Sequence, residues 1–306
     1  MKIQINEICN FLKSQKIEFN YMGQKELFLT QIASIDDLKP NAISWIKKID
    51  RYCLSDVDSK LNCLLVVDKA PIQPKKNELN LIVVKKPKMV FFEILNEYFV
   101  DNHKSVGIAK SAIVYTKNIG KNVFIGHNCY ICADATIGDN VVINNNVVIE
   151  CPTIIGNDCT IGSGTVIGNA GHGYYTHNKR LKKVPDFGGV IIGNRVQIGS
   201  ATCIARGTLS NTVIMDDTKI DNLCHIAHNV QIGKNCNIIA LSMLAGSCII
   251  GDNTYIAPGV LVMNQLSVGE NSLLGMGSVV TKDIEANKVV VGVPAKIIRD
   301  NDNNDL

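Results

Sequence analysis

Two histidines stand close together in residues 220–230 (IDNLCHIAHNV), and the second, His228, is the residue best suited to move a proton. An unperturbed imidazole titrates at about 6.5, so at neutral pH it can accept a proton from an attacking group. Asp221 and Asn222 lie just upstream, and Asp221 is the candidate to orient the ring. A metal site needs a third histidine or a carboxylate at matching height. The residues eighteen positions beyond His225 and His228 are Met243 and Gly246, which counts against a three-histidine site. Gly246 offers a backbone N–H instead. A base and a main-chain donor flanking one carbonyl carbon suit acyl transfer: the base takes the nucleophile's proton and the N–H holds the oxyanion. The sequence offers no side-chain nucleophile with an oriented base, so direct attack is expected rather than an acyl-enzyme. A histidine that is merely solvated is the open alternative.

These residues are useful only if something stacks them. From Ile119 to Ile167 isoleucine returns every six residues. The pattern resumes at Ile192, Ile198 and Ile204, and after a ten-residue step it runs from Ile214 to Val280. Period six fits neither a helix nor a hairpin ladder. It fits the hexapeptide β-helix, in which three hexads close one triangular coil and successive coils stack at the strand spacing of a sheet. Twenty-four hexads predict about eight coils. The aliphatic points inward, and the glycine or small residue after it is assigned to the tight corner. Cys129, Cys159, Cys224, Cys236 and Cys248 fall four residues after an aliphatic and read as small core filler rather than metal ligands. Eighteen residues make one coil, so His228 and Gly246 share a face, and Ser210 is expected there too, one coil earlier.

Solenoids place their insertions on one face, often the binding face. The longer interruption, residues 168–191, carries His172, His177, Lys179, Arg180, Lys182 and Lys183. It reads either as a solvated basic loop or as a flap over an anionic ligand. The first hundred residues lack the period. Residues 5–15 and 89–100 read as amphipathic helices, and 42–46, 63–67 and 81–84 as short strands. The expected organisation is a mainly β protein: a small N-terminal α/β domain (1–103), a parallel β-helix of hexapeptide repeats (104–288), and a tail (289–306) frayed from 299 onward.

Composition narrows the class. The chain has 306 residues, 19% charged and 6% aromatic, with a formal net charge of +3. That excludes binding of nucleic acid through bulk charge and excludes global disorder. No apolar run is long enough to span a membrane, and the first residues lack a continuous apolar signal core. Eleven cysteines, read as holding no C-x-x-C pair, suggest reduced thiols in a cytoplasmic protein rather than a disulfide frame.

Several segments, in order, resemble the N-acyltransferases of lipid A biosynthesis: 167–174 (IGNAGHGY), 183–189 (KVPDFGG), 205–207 (ARG), 220–222 (IDN) and 226–229 (IAHN). Those enzymes transfer a hydroxyacyl chain to the amine of a UDP-linked, 3-O-acylated glucosamine. The resemblance implies a left-handed β-helix, a homotrimer, and sites in clefts between subunits. It matches His228 to the family's base and Gly246 to its oxyanion amide. It also implies an N-terminal domain that binds the nucleotide and sugar. Residues 43–45 (ISW) and 51–52 (RY) resemble its base-stacking stretch, which makes Trp45 and Tyr52 candidate contacts and Asn222, His172 and Gln265 further substrate-binding candidates. Three departures stand out. Gln265 replaces a second histidine, and His172 replaces a pocket phenylalanine. The ending 291–299 (VGVPAKIIR) is similar to acetyl-CoA-dependent sugar transferases, not to a helical extension implicated in carrier-protein docking. Lys282, Lys296 and Arg299 are therefore candidates to meet coenzyme phosphates. The expected reaction is N-acylation of a nucleotide-linked amino sugar for O-antigen or lipopolysaccharide, with a short acyl group carried by coenzyme A. No metal or tightly bound cofactor is expected. The lipid A reaction with acyl carrier protein is the runner-up, and a non-catalytic β-helix scaffold is the rival class.

Overall fold

The computed structural model describes residues 2–51, 61–70, 79–100, 106–150 and 152–301. The chain divides into two compact units, Met1–His103 and Lys104–Leu306.

The first unit is α/β. Its five-stranded sheet runs Asn20–Met22, Asn80–Val83, Leu64–Val67, Ala42–Trp45, Gln31–Ile32. Only the Asn20–Met22 pairing is antiparallel. Every residue of Leu64–Val67 is buried, as a central strand covered on both faces requires. Alternate residues serve opposite cores: Leu64 and Val66 pack toward one, Leu65 and Val67 toward the other. The helix Ile5–Ser14 buries Ile5, Ile8 and Leu12, and its start is fixed where Gln4 N–H donates to Glu7 Oε2 at 2.7 Å. The helix Pro87–Tyr98 begins on a proline, whose missing N–H costs nothing in the first turn.

The second unit is the left-handed parallel β-helix. Its first wall holds eight short strands, from Asn118–Ile119 to Ser267–Val268. The second holds nine, from Ile113–Val114 to Val279–Val280. The third holds eleven, of which only Lys296–Asp300 is antiparallel. The prism is thus longer than eight coils, because strands at Gly107–Ile108 and Lys288–Val291 extend it where the isoleucine spacing is silent. Register partners stand eighteen apart, as in Ile125↔Ile143. The offset stretches where insertions occur: Ile161 meets Ile198, and Ile198 meets Ile220. The inward aliphatics form one continuous core, with Ile125, Ile143, Ile161, Ile226 and Ile238 fully buried. Each such side chain contributes roughly 1.5–3 kcal/mol on burial.

Two details of the corners differ from expectation. The residue after each aliphatic is small because coils meet there, not because the chain turns there: a Cβ on Gly138 lies 2.5 Å from Asn157 Oδ1 and 2.7 Å from the Gly156 carbonyl carbon. The turn itself falls two residues later. Asn122, Asn140, Asn146, Asn229, Asn235 and Asn253 all adopt left-handed φ between 54° and 61°. Asparagine tolerates that region better than any other residue with a Cβ, which accounts for the chain's asparagine content. The five interior cysteines are buried, and their thiols have a use beyond filling. Cys129 donates to Asn144 O at 2.9 Å and Cys248 to Met263 O at 3.0 Å, satisfying corner carbonyls. Burial pushes the Cys236 thiol up to about 11. Cys129 and Cys132 make the one C-x-x-C spacing in the chain, which corrects the reading that no such pair exists.

The expected frayed tail is corrected as far as residue 301. Lys288–Val291 is a rung of the third wall, paired with Leu273–Leu274, so a boundary at 288/289 cuts through it. Lys296–Asp300 folds back on it as a hairpin, and Asn301 is buried, its Nδ2 donating to Asn271 O at 2.6 Å. Among the described residues no helix is long and apolar enough to cross a membrane.

Candidate active site

His228 follows Ile226 by two residues. Ile226 is fully buried and points into the prism, so the chain has turned the corner between the second and first walls when it reaches His228. The imidazole lies outside, between two glycines. A Cβ on Gly246, one coil on, falls 2.7 Å from His228 Cε1 and 2.8 Å from Nε2. A Cβ on Gly171, at the start of the flap, falls 2.8 Å from His228 Cβ and 3.0 Å from Cγ and Cδ2. Neither position has room for any side chain, so both glycines are required by close approach.

At several other corners the N–H two residues after the aliphatic is capped by a carboxylate or amide from the next coil. Lys121 N–H donates to Asp139 Oδ1 at 2.6 Å, Asp139 N–H to Asn157 Oδ1 at 2.8 Å, and Lys234 N–H to Asp252 Oδ1 at 2.7 Å. Above His228 the capping position is Gly246, which has no side chain to offer. Among the described residues the backbone N–H groups of His228 and Gly246 have no hydrogen-bond partner. Both donors lie at the corner that carries the imidazole and are left for an incoming oxygen.

The ring's polar partner is Asn229, whose Nδ2 lies 3.1 Å from His228 Nδ1. The orientation of that amide is set elsewhere: its Oδ1 accepts the Thr208 N–H at 2.7 Å. Asp221 does not reach the ring. Seven residues are one hexad plus one, which moves Asp221 to the next corner of the triangle. There its Oδ1 accepts the Asn222 N–H at 2.7 Å and its Oδ2 the Ala240 N–H at 3.3 Å. Asn222 caps Ser200 N–H at 2.6 Å on that same corner. Ser210 is displaced as well. Cys203 pairs with His225, an offset of twenty-two, so Arg206 rather than Ser210 stacks before His228. Arg206 Nε donates to the Gly188 carbonyl at 2.8 Å and holds the end of the flap.

The flap is a β-hairpin, Tyr174–His177 against Arg180–Lys183, turned through Asn178 and Lys179, both at left-handed φ. His172 is exposed and stacks on Tyr174 with ring centroids 4.9 Å apart. Gln265 sits one coil past Gly246, its N–H donating to the Gly246 carbonyl at 2.9 Å. Lys282 shares the same corner two coils beyond Gly246 and is exposed. Lys296 and Arg299 belong to the hairpin on the third wall, away from that corner, where Arg299 Nη1 donates to Asp300 O at 3.0 Å. His225 lies on the second wall between Cys203 and Met243, and desolvation holds its pKa below the ordinary imidazole value. In the first unit Trp45 is half-buried against Phe91 and Phe92 and lines an open pocket of ≈ 580 Å³ with Ile32, Ser34, Ser44 and Lys47. Tyr52 lies outside the described residues. Among the described residues no group of three or more His, Cys, Asp or Glu gathers as a metal cluster.

Sequence reasoning gave Asn229 no role, and gave Gly171 and Gly173 close backbone approach to an anionic ligand, not to His228. Asn229 is adjacent to His228 in the chain and the glycines of 168–173 were visible, but only coordinates show which glycine meets the ring.

Comparison with known proteins agrees with this architecture. The family Bacterial transferase hexapeptide (six repeats) matches residues 116–151, 134–169, 211–246 and 247–282. A UDP-3-O-acylglucosamine N-acyltransferase of Delftia acidovorans is 35% identical over 302 residues, covering 96% of this chain and 87% of the relative. A probable mitochondrial UDP-3-O-acylglucosamine N-acyltransferase of Arabidopsis thaliana is 44% identical over 131 residues, 42% of this chain and 43% of that one. Among solved structures, the UDP-N-acetylglucosamine acyltransferase of Bacteroides fragilis superposes with a TM-score of 0.57 at 29% identity, covering 62% of this chain and 73% of that one. With a relative of that identity matched over most of both lengths, and a β-helix built of the same hexapeptide repeats, the chain is an acyltransferase and belongs to the UDP-3-O-acylglucosamine N-acyltransferase family.

Proposed function

We propose that the chain transfers a hydroxyacyl group from a carrier-protein thioester to the amine of a UDP-linked 3-O-acylglucosamine. The observation that carries the chemistry is the imidazole of His228 lying against Gly246, where the backbone N–H is uncapped. The names of the relatives support this acceptor sugar, while the sequence departures favoured a shorter, coenzyme-borne acyl group. The neutral amine attacks the thioester carbon and forms the C–N bond. Its proton passes to His228, the Gly246 N–H holds the oxyanion, and the C–S bond breaks to release the thiol. A thioester is already activated, so this route needs no metal.

The amide of Asn229 enters the proton step. With its Oδ1 on Thr208 N–H, its NH₂ group faces Nδ1, and the resting neutral ring then carries its proton on Nε2. A ring that takes the amine proton at Nε2 must instead carry its own proton on Nδ1, and a turn of the amide offers Oδ1 to that Nδ1–H.

Trp45 and its pocket suit the nucleotide base, and Lys282 is placed to meet a phosphate of the donor. The second wall presents His225, Met243, Leu261 and Val279 outward in one row, with Leu223 and Leu241 exposed at its edge. A row of that kind on a soluble prism calls for a cover, and a homotrimer supplies it. Among the described residues Cys9, Cys63, Cys129, Cys159, Cys203, Cys224, Cys236 and Cys248 are free thiols, as suits the cytoplasm.

A second reading keeps the same chemistry with a short acyl group on coenzyme A. It is favoured by His172, a polar ring exposed on Tyr174 at the mouth of the flap. Mass spectrometry of products from competing acetyl, hydroxybutyryl and hydroxymyristoyl donors, each on coenzyme A and on carrier protein, decides between them. The long hydroxyacyl amide from carrier protein is expected. A product formed only from short coenzyme thioesters reverses the assignment, and no turnover with any donor removes the enzyme reading.

A further inference from the structure

We propose that Lys183 is a positioning residue for His228, acting through Gly171; this rests on the reading of His228 as the base. Lys183 spends all three ammonium protons within its own loop. It donates to the Gly171 carbonyl, to Val184 O at 3.2 Å and to Asp186 Oδ2 at 3.0 Å. The Asp186 side chain is only 7% exposed, so its carboxylate depends on this ammonium, whose own side chain keeps a face to water at 37% exposure. Its effect is to tie the flap's returning strand to the flap's first residues. Val184 N–H, bonded to Gly173 O at 2.9 Å, closes the same junction from the backbone.

Gly171 is the residue that matters to the site. A Cβ on it would fall within 3.0 Å of Cβ, Cγ and Cδ2 of His228, so its backbone closes one edge of the ring, while Gly246 closes the opposite edge. The imidazole is thus confined on both sides, one supplied by the rigid coil and one by a loop insertion. The coil cannot retreat, since its backbone is laddered to the coils above and below: Ser247 N–H donates to His228 O and Gln265 N–H to Gly246 O, each at 2.9 Å. The loop can retreat, and Lys183 is the side chain that bonds the Gly171 carbonyl. Without it Asp186 keeps a buried charge with no partner, the junction loosens, and the ring gains a rotamer directed away from the amine.

The test is a double-mutant cycle on the intact chain. Lys183→Met lowers kcat on the order of ten- to a hundredfold, the scale of an ångström-sized misplacement of a catalytic group, with little change in KM for either substrate. Lys183→Arg, which retains donors and charge, restores part of the loss. In a His228→Ala background Lys183→Met has no further effect. Gly171→Ala serves as a second probe, because its methyl group pushes into the ring directly. It lowers kcat in the parent and not in His228→Ala. The proposal is overturned if Lys183→Met keeps the parental kcat, raises KM alone as a substrate contact does, or lowers the rate by the same factor in both backgrounds. Should His228→Ala itself match the parent, the base assignment fails rather than the clamp alone.

Discussion

At the scale of single residues, Asn229 carries a demand that its neighbours do not. It adopts a left-handed φ of 61°, accepts the Thr208 N–H, and faces His228 Nδ1 with its other end. One amide cannot present an oxygen to both groups, but a carboxylate can. Asn229→Asp places one oxygen on Thr208 N–H and the other on Nδ1–H, so its kcat is expected to equal or exceed the parent's. Asn229→Ala removes the contact and is expected to lower kcat about tenfold, the low side of what a positioned general base contributes. Steady-state rates of the two variants check this; equal losses in both refute the amide turn. His228 and Gly246 were legible from spacing, since eighteen residues make a coil. Asp221 was misplaced because proximity in sequence is not proximity on a triangle, where one residue beyond a hexad changes corner.

At the scale of the element, the repeating unit is a corner as much as a strand. Aliphatics fix the inward direction, glycines let coils meet, and left-handed asparagines turn the chain. Asn235, at φ 54°, turns one such corner and bonds through Nδ2 to Asn253 Oδ1 at 2.9 Å. Asn235→Val forces a β-branched residue into that region and is expected to destabilise the chain by about 1–2 kcal/mol. Asn235→Gly frees the backbone and loses only the side-chain bond, so it is expected to melt closer to the parent. Thermal unfolding monitored by circular dichroism separates them, and a valine variant as stable as the glycine variant contradicts this account of the corner. The period itself was fully legible because every sixth residue must face the same core. The first and last rungs were not, since Gly107–Ile108 and Lys288–Val291 stack on a neighbour without keeping the isoleucine pattern. The glycine and asparagine roles were exchanged for a similar reason: composition shows that a corner exists, and only torsions show which residue turns.

At the scale of the whole molecule, the chain comprises a compact α/β unit with an aromatic pocket and a prism that carries the proposed acyl-transfer corner. The outward row on the second wall predicts a homotrimer, and light scattering is expected to give three times the mass of 33.4 kDa. A monomer at micromolar concentration contradicts that prediction. Charging Met243, as Met243→Asp, is expected to dissociate the assembly. The choice of donor was the least legible property, because the acyl group is read by surfaces that no single motif encodes. The claim on which everything rests is amide formation driven by the ring beside Gly246. It is tested most directly by following the N-acylated product by mass spectrometry with UDP-3-O-acylglucosamine and a hydroxyacyl thioester, in the parent and in His228→Ala. The account predicts product from the parent and a rate lower by roughly 10²- to 10⁴-fold in the variant; an undiminished rate in His228→Ala contradicts it.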